Sequence, residues 1–317
     1  MIRRRALLAG LLGALPACAA AQRGTSIAEP FTLAGTGNGV LRPLGGLEID
    51  RARLGFGGLS GLHLAPDLTL TAISDLGHFA EFALSLDAGL RPLGLGLLRS
   101  GRLRDGAGRP LVRGYASDAE SLARLADGSW LVSFERWHRI RRYADLDGPG
   151  TYVEAPPGIE RAPANAALES LAVLADGRWL ALAEHLERPE APGLTAAWLG
   201  GPGAWIPFAW RPAPFMSPVD AAPLPDGGAL VLERGFSLFG GFSGRLTRVA
   251  PAALAAVTPG AVLEGSEILR IAPPLPVDNY EAVAVARHAG RELVALLSDD
   301  NENRLQRTLL LLFELTG

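Results

Sequence analysis

Five times along this chain, a short apolar strand, a tight turn and a second apolar strand run in succession and close on an acid. The first copy starts at Leu59-Ser60-Gly61-Leu62, turns at Pro66-Asp67 and ends at Ser74-Asp75. The second carries Asp118-Ala119-Glu120-Ser121-Leu122, turns at Ala126-Asp127-Gly128 and ends at Glu135. The third carries Leu168-Glu169-Ser170-Leu171, turns at Ala175-Asp176-Gly177 and ends at Glu184. The fourth carries Val219-Asp220-Ala221, turns at Pro225-Asp226-Gly227 and ends at Glu233. In the fifth, Glu281 opens a strand whose partner stops at Ser298-Asp299-Asp300. Asp and Gly at these turns supply the side-chain cap and the left-handed backbone that a tight hairpin needs. Aligned on Leu62, Leu122, Leu171, Ala222 and Val283, the copies are spaced by 60, 49, 51 and 61 residues. Short strands recurring at roughly 40–50 residues, with the excess taken up by loops, are the pattern of β-propeller blades.

The expected fold is therefore an all-β propeller with five recognisable blades. A sixth remains open if a degenerate blade lies in 91–115 or 246–272. Closure is expected from the N-terminal segment 40–50, which supplies a fourth strand to a last blade that shows only three. The loop 99–115 is long, polar and carries five arginines; residues 251–258 read as a short surface helix. Residues 31–317 form one propeller domain in this reading.

Residues 1–21 read as an export signal. Arg3, Arg4 and Arg5 precede an apolar run at 6–15 that is too short to span a bilayer. Arg4-Arg5-Ala6-Leu7-Leu8 is a twin-arginine-like motif, which implies a periplasmic or secreted protein. Leu15-Pro16-Ala17-Cys18 offers the alternative of a lipid anchor at Cys18. Removing the segment moves the formal charge from −3 to −6, because three arginines leave with it. The remaining chain has no lysine and no cysteine, which excludes a Schiff base, a thiol nucleophile and a thiolate metal site. An acidic chain with scattered arginines is a poor nucleic-acid ligand, and no transmembrane segment is expected after the signal.

In a propeller, the front ends of the innermost strands converge on the central channel. Glu120, Glu169 and Glu281 sit at such fronts, and a hairpin brings Glu281 beside Asp299 and Asp300. Carboxylates gathered in this way repel one another unless a cation or a proton sits among them. Glu120, Glu169, Glu281, Asp299 and Asp300 are the candidate ligands for a hard divalent cation, most plausibly Ca²⁺. Asp75, Glu135 and Glu184, with His78 and His185, are the candidates for managing protons. Arg136, Arg234 and Arg307 are candidates for binding an anionic substrate. No Gly-x-Ser-x-Gly elbow, HExxH pair or phosphate loop is present.

Several of these residues resemble one family. Gly58-Leu59-Ser60-Gly61-Leu62, the Glu120 and Glu169 strands, Leu232-Glu233-Arg234, Asn279-Tyr280-Glu281, Leu297-Ser298-Asp299-Asp300-Asn301 and Gln306-Arg307-Thr308 look like "esterase-like activity of phytase". The likeness runs from about residue 57 to 315. It implies a propeller that hydrolyses phosphoesters or other esters, taking a small-molecule substrate. In that family a glycine usually follows the strand glutamate; here Ser121, Ser170 and Ala282 stand in its place. The alternatives are a non-catalytic propeller that binds a ligand or protein around structural Ca²⁺, and a lactonase-type propeller.

Overall fold

The computed structural model describes residues 26–34, 39–166 and 168–317. The proposed export signal and lipid-anchor site at Cys18 lie outside these residues. Two strands, β1 (Ala28–Phe31) and β2 (Leu41–Ile49), precede a short helix, α1 (Arg51–Leu54). Asp50 caps α1 by accepting from the amides of Ala52 and Arg53, and Gly55 ends it at φ 93°.

Four sheets follow in chain order. Blade one is β3 (Leu59–Leu64), β4 (Thr69–Ser74), β5 (His78–Leu86) and β6 (Pro92–Arg102). Blade two is β7 (Ala119–Arg124), β8 (Trp130–Phe134), β9 (Arg139–Tyr143) and β10 (Gly150–Val153). Blade three is β11 (Ser170–Val173), β12 (Trp179–Arg188), β13 (Ala191–Gly200) and β14 (Ile206–Trp210). Blade four is β15 (Ser217–Pro223), β16 (Ala229–Ser237), β17 (Gly241–Val249) and, after α2 (Pro251–Ala255) and β18 (Val262–Leu263), β19 (Ser266–Ile271). Blade five is built from β20 (Tyr280–His288), β21 (Arg291–Ser298) and β22 (Leu309–Leu315), completed by β2 and then β1.

The expected propeller is therefore present, with five blades closed by the N-terminal segment. Residues 91–115 hold the outer strand of blade one and a loop. Residues 246–272 hold outer strands of blades three and four, β18 pairing in parallel with β14. Neither stretch is a hidden sixth blade. The expected helix exists as α2, and its Leu254 is buried between blades three and four.

The hairpin turns form for the chemical reason their sequence suggests. Asp127, Asp176 and Asp226 each accept the amide two residues on, at 2.9, 3.0 and 2.8 Å. The following glycines, Gly128, Gly177 and Gly227, hold φ of 85°, 85° and 91°. In blade one Leu68 occupies the left-handed slot at φ 68° without a glycine. Each blade is packed between two neighbours, so its central strands are buried on both faces. That is why β22 reads LLLLFEL without alternation and is buried throughout.

Candidate active site at the channel mouth

The strand ladders define which side chains share a level at the channel mouth. Gly61 faces Ile73, Ala282 faces Leu297, Asp220 faces Leu232 and Ser170 faces Leu182; the Ser121 amide bonds the Ser133 side chain in blade two. Gly61, Ser121, Ser170, Asp220 and Ala282 are thus equivalent. One residue earlier come Ser60, Glu120, Glu169, Val219 and Glu281. Two residues beyond the facing position come Asp75, Glu135, Glu184, Arg234 and Asp299. In blades one, two and five this last residue donates its amide to the same place, the carbonyls of Gly58, Asp118 and Asn279, at 3.0, 2.8 and 2.9 Å. Two stacked rings of five positions therefore hold seven carboxylates and one guanidinium.

Blade four departs from the reading by acid endings. The same bulge precedes the ladder position in blades one, four and five, between Leu59 and Gly61, Pro218 and Asp220, and Tyr280 and Ala282, so Asp220 aligns with Gly61 and Ala282, and Ala221 rather than Ala222 matches Leu62. A one-residue shift exchanges the faces of a strand. Arg234 consequently takes the ring position, and Glu233 turns into the sheet interior. There it accepts Trp210 Nε1 at 2.9 Å, the Ala213 amide at 2.9 Å and Arg245 at 2.7 and 3.0 Å.

Arg234 is the electrostatic centre of this side of the mouth. It donates to Asn279 Oδ1 at 2.7 Å, to Glu184 Oε1 at 2.9 Å and to Glu281. Asn279 also donates to Glu281 Oε1 at 2.8 Å. Burial raises the Glu281 carboxyl, and Arg234 opposes that rise.

The blade-two side lacks such a partner. Asp118, Glu120 and Glu135 bring one oxygen each within 4.8 Å of one another, a spacing that a single metal ion can bridge. Arg136 pairs with Asp118 at 2.5 Å from a half-exposed position. Burial, then Glu169 and Glu135, push the Glu120 carboxyl far up. Burial and Asp118 raise Glu135 to about 7, against a hydrogen bond with Glu169. Burial, Asp118 and Glu281 raise Asp75 to about 7. Asp299 is driven up by burial and by Glu281. Gly58, at φ 67°, lets Asp75 fit here: a Cβ at Gly58 would lie 2.0 Å from its Oδ1.

Of the anticipated metal ligands, only Glu120 belongs to this three-carboxylate group. Glu169 adjoins it through Glu135, whereas Glu281 is engaged by Arg234 and Asn279. Asp300 lies apart: it accepts Gly58 N at 3.2 Å, Glu302 N at 2.9 Å and Thr308 Oγ1 at 3.0 Å, with Arg51 at 3.5 Å. It ties blade five to blade one. Glu135, anticipated as a proton carrier, and Asp118, not anticipated, complete the group. Asp118 could have been found from its place two residues before Glu120.

The histidines divide. His185 sits at the mouth, 3.1 Å from Ser217 Oγ and 3.5 Å from Glu184. His78 stacks on Phe56 at 4.6 Å, and burial with Arg102 and Arg113 lowers its pKa. None of the three anticipated substrate-binding arginines is unpaired: Arg136 meets Asp118, Arg234 meets Glu184 and Glu281, and Arg307 meets Asp278 at 3.5 Å.

Asp220 was passed over. It stands where blades one, two, three and five carry Gly, Ser, Ser and Ala, and its reach crosses the channel. Its Oδ2 accepts Val283 N of blade five at 2.8 Å, and its Oδ1 accepts Ser121 Oγ of blade two at 3.1 Å. Burial pushes its carboxyl far up. A lone carboxylate among small residues at the ladder position was the available signal.

The sequence profile of the phytase-like family, described as esterase-like activity of phytase, matches residues 54–302. The chain belongs to this family. The match covers well over half of it, including both rings. No protein of curated function matches the sequence. Among solved structures, the chain resembles a thermostable family-43 glycoside hydrolase at 10% identity and a TM-score of 0.51, over 81% of this chain and 89% of that one. It also resembles a gluconolactonase from Xanthomonas campestris (13% identity, TM-score 0.44, 90% and 97% covered). A third likeness is the PQQ-bound aldose sugar dehydrogenase from Streptomyces coelicolor (12% identity, TM-score 0.45, 82% and 95% covered). At such identities the likeness is one of fold.

Proposed function

We propose that this phytase-like propeller is a divalent-cation-dependent hydrolase of phosphoesters or other esters, working at the channel mouth. The observation that carries the reading is the convergence of Asp118 with Glu120 and Glu135 of the two rings, one oxygen from each lying within 4.8 Å of the others. Such oxygen-only donors suit Ca²⁺, with Glu169 beside them. A bound cation would polarise an ester oxygen and favour ionisation of a coordinated water. The protein's own groups supply the rest. Asp75, held near neutrality, takes the proton released when water adds to the ester. His185, held beside Ser217 and Glu184, returns a proton to the departing alcohol. Arg234, fixed by Glu184, Glu281 and Asn279, gives the substrate a rigid wall.

The test is turnover of p-nitrophenyl acetate, p-nitrophenyl phosphate, phytate and a lactone by the purified protein, with Ca²⁺ and with chelator. Hydrolysis that chelator abolishes supports the reading. Absence of turnover on all four leaves a binding propeller as the better description.

Export through residues 1–21 belongs to the same proposal and places the enzyme in the periplasm or outside the cell. Replacing Arg4 and Arg5 by lysine should block twin-arginine transport. Normal export of the double variant would end that assignment.

A further inference from the structure

Beside the rings lies a cleft of about 410 Å³, whose inner wall is Glu184, Arg234 and Asn279 and whose outer wall is aromatic. Phe236 and Phe242, a facing pair on β16 and β17, have ring centroids 5.0 Å apart. Phe215 lines the same cleft and also a second depression of about 470 Å³. Phe215 is 98% exposed and Phe236 62%, with Leu238 at 89% and Phe239 fully exposed on the same hairpin. Single exposed apolar side chains need no explanation, but a group of them around one concavity marks a binding surface.

The backbone strengthens this point. Phe215 holds φ at 63°, a left-handed conformation that bulky residues avoid. The loop carrying it lies flat on β16 because Gly235 has no side chain; a Cβ there would come 2.4 Å from the Phe215 carbonyl. The fold thus accepts both strain and exposure to place this ring beside the reacting centre.

The charges of the cleft restrict what fits. Arg234 is its inner cation and is already engaged by Glu184, Glu281 and Asn279. Among the described lining residues no guanidinium is left free for a phosphate dianion, and the outer wall of the cleft is aromatic rather than charged. We infer that the substrate is an uncharged carboxylic ester or lactone bearing an aromatic or acyl group, and that this group is received between Phe215 and the Phe236–Phe242 pair. The inference deepens the hydrolase reading by naming its substrate class.

Equilibrium dialysis of the full-length protein in Ca²⁺ tests it without requiring turnover. Two probes share one apolar body: 4-phenylbutyramide, neutral, and 4-phenylbutyl phosphate, dianionic. The amide should bind at least tenfold more tightly. Phe236→Ala and Phe215→Gly should each weaken the amide about three- to tenfold. Both side chains are exposed, and Phe215→Gly also relieves the strained backbone, so melting temperatures should hold or rise. Equal or tighter binding of the phosphate, no binding of the amide, or unchanged affinity in both variants would overturn the inference. Binding of the amide by a protein that turns over no ester would sink the hydrolase reading alone.

Discussion

Around blade four, Glu281 and Glu184 share the guanidinium of Arg234, and Asn279 braces the group. Around blade two, Asp118, Glu120 and Glu135 crowd within 4.8 Å, and Arg136 reaches only Asp118. The two sides share a ladder geometry and a residue type, yet one shares a largely buried guanidinium between two carboxylates, while the other has a half-exposed arginine on one carboxylate of three. A buried carboxylate must be paired, protonated or bound to a cation. The paired side therefore acts as a fixed wall, and the unpaired side is where a metal ion or a proton is required.

The strongest way to break this contrast is to remove the counter-charge. Arg234→Met should destabilise the protein by about 3–5 kcal/mol at pH 8, since it leaves buried carboxylates unpaired. The loss should shrink at pH 5, because Glu281, raised by burial and no longer opposed by Arg234, takes up a proton. Urea unfolding at both pH values measures it; equal losses would mean that Arg234 acts through packing alone.

Second in size is the response to Ca²⁺. A hundredfold excess over Kd should stabilise the wild type by about 2.7 kcal/mol, and chelator should remove that increment. Glu120→Gln should lose most of it, whereas Glu281→Gln, on the paired side, should keep most of it. Melting curves with Ca²⁺ or EDTA compare the two. An equal response in both variants would erase the distinction between the sides.

The third test uses Asp75. Its folded pKa is raised to about 7 by burial, Asp118 and Glu281, so the folded chain holds a proton that the unfolded chain releases near 4. This group's stabilisation is complete below pH 4 and is lost as pH rises through 7. In EDTA, wild-type stability should fall across pH 5–7 by at most about 1.4 kcal/mol per unit from this group, and Asp75→Asn should flatten the slope. An unchanged slope would assign the proton elsewhere.

The smallest effect belongs to Arg136. It is half exposed, so Arg136→Ala should cost less than about 1 kcal/mol. Freeing Asp118 should at the same time tighten Ca²⁺ binding, which titration calorimetry can read.

The hairpins and most of the acids were legible in sequence because Asp-Gly turns and strand-ending carboxylates are local chemistry. Closure of blade five by the 40–50 segment was legible as well, from a last blade one strand short. Blade four was misaligned by one residue: Arg234 lies seven residues after Gly227, as Glu135 and Glu184 lie seven after Gly128 and Gly177, so counting from the turn rather than from the nearest acid puts Arg234, not Glu233, on the channel. Asp300 misled for a related reason, its neighbour Asp299 facing the ring while it binds Gly58 and Thr308. The aromatic cleft was invisible, since no local pattern tells an exposed Phe215 from a buried one.

The closure of blade five sets an order in time. β2 pairs with β22, joining residues 41–48 to 309–315, and the Ile27 amide bonds Leu95 O of blade one. Residues Asn279, Glu281 and Asp299 arrive on the last blade to be synthesised. Until then Arg234 lacks one of its two carboxylate partners, and the channel has no fifth wall. A nascent chain can build blades one to four by local hairpin formation, but the site comes into being only at the final, long-range pairing. Such non-local closure is intrinsically slow. A chain stalled before it would present the open edge of β2 to solvent, an invitation to pair with a second chain.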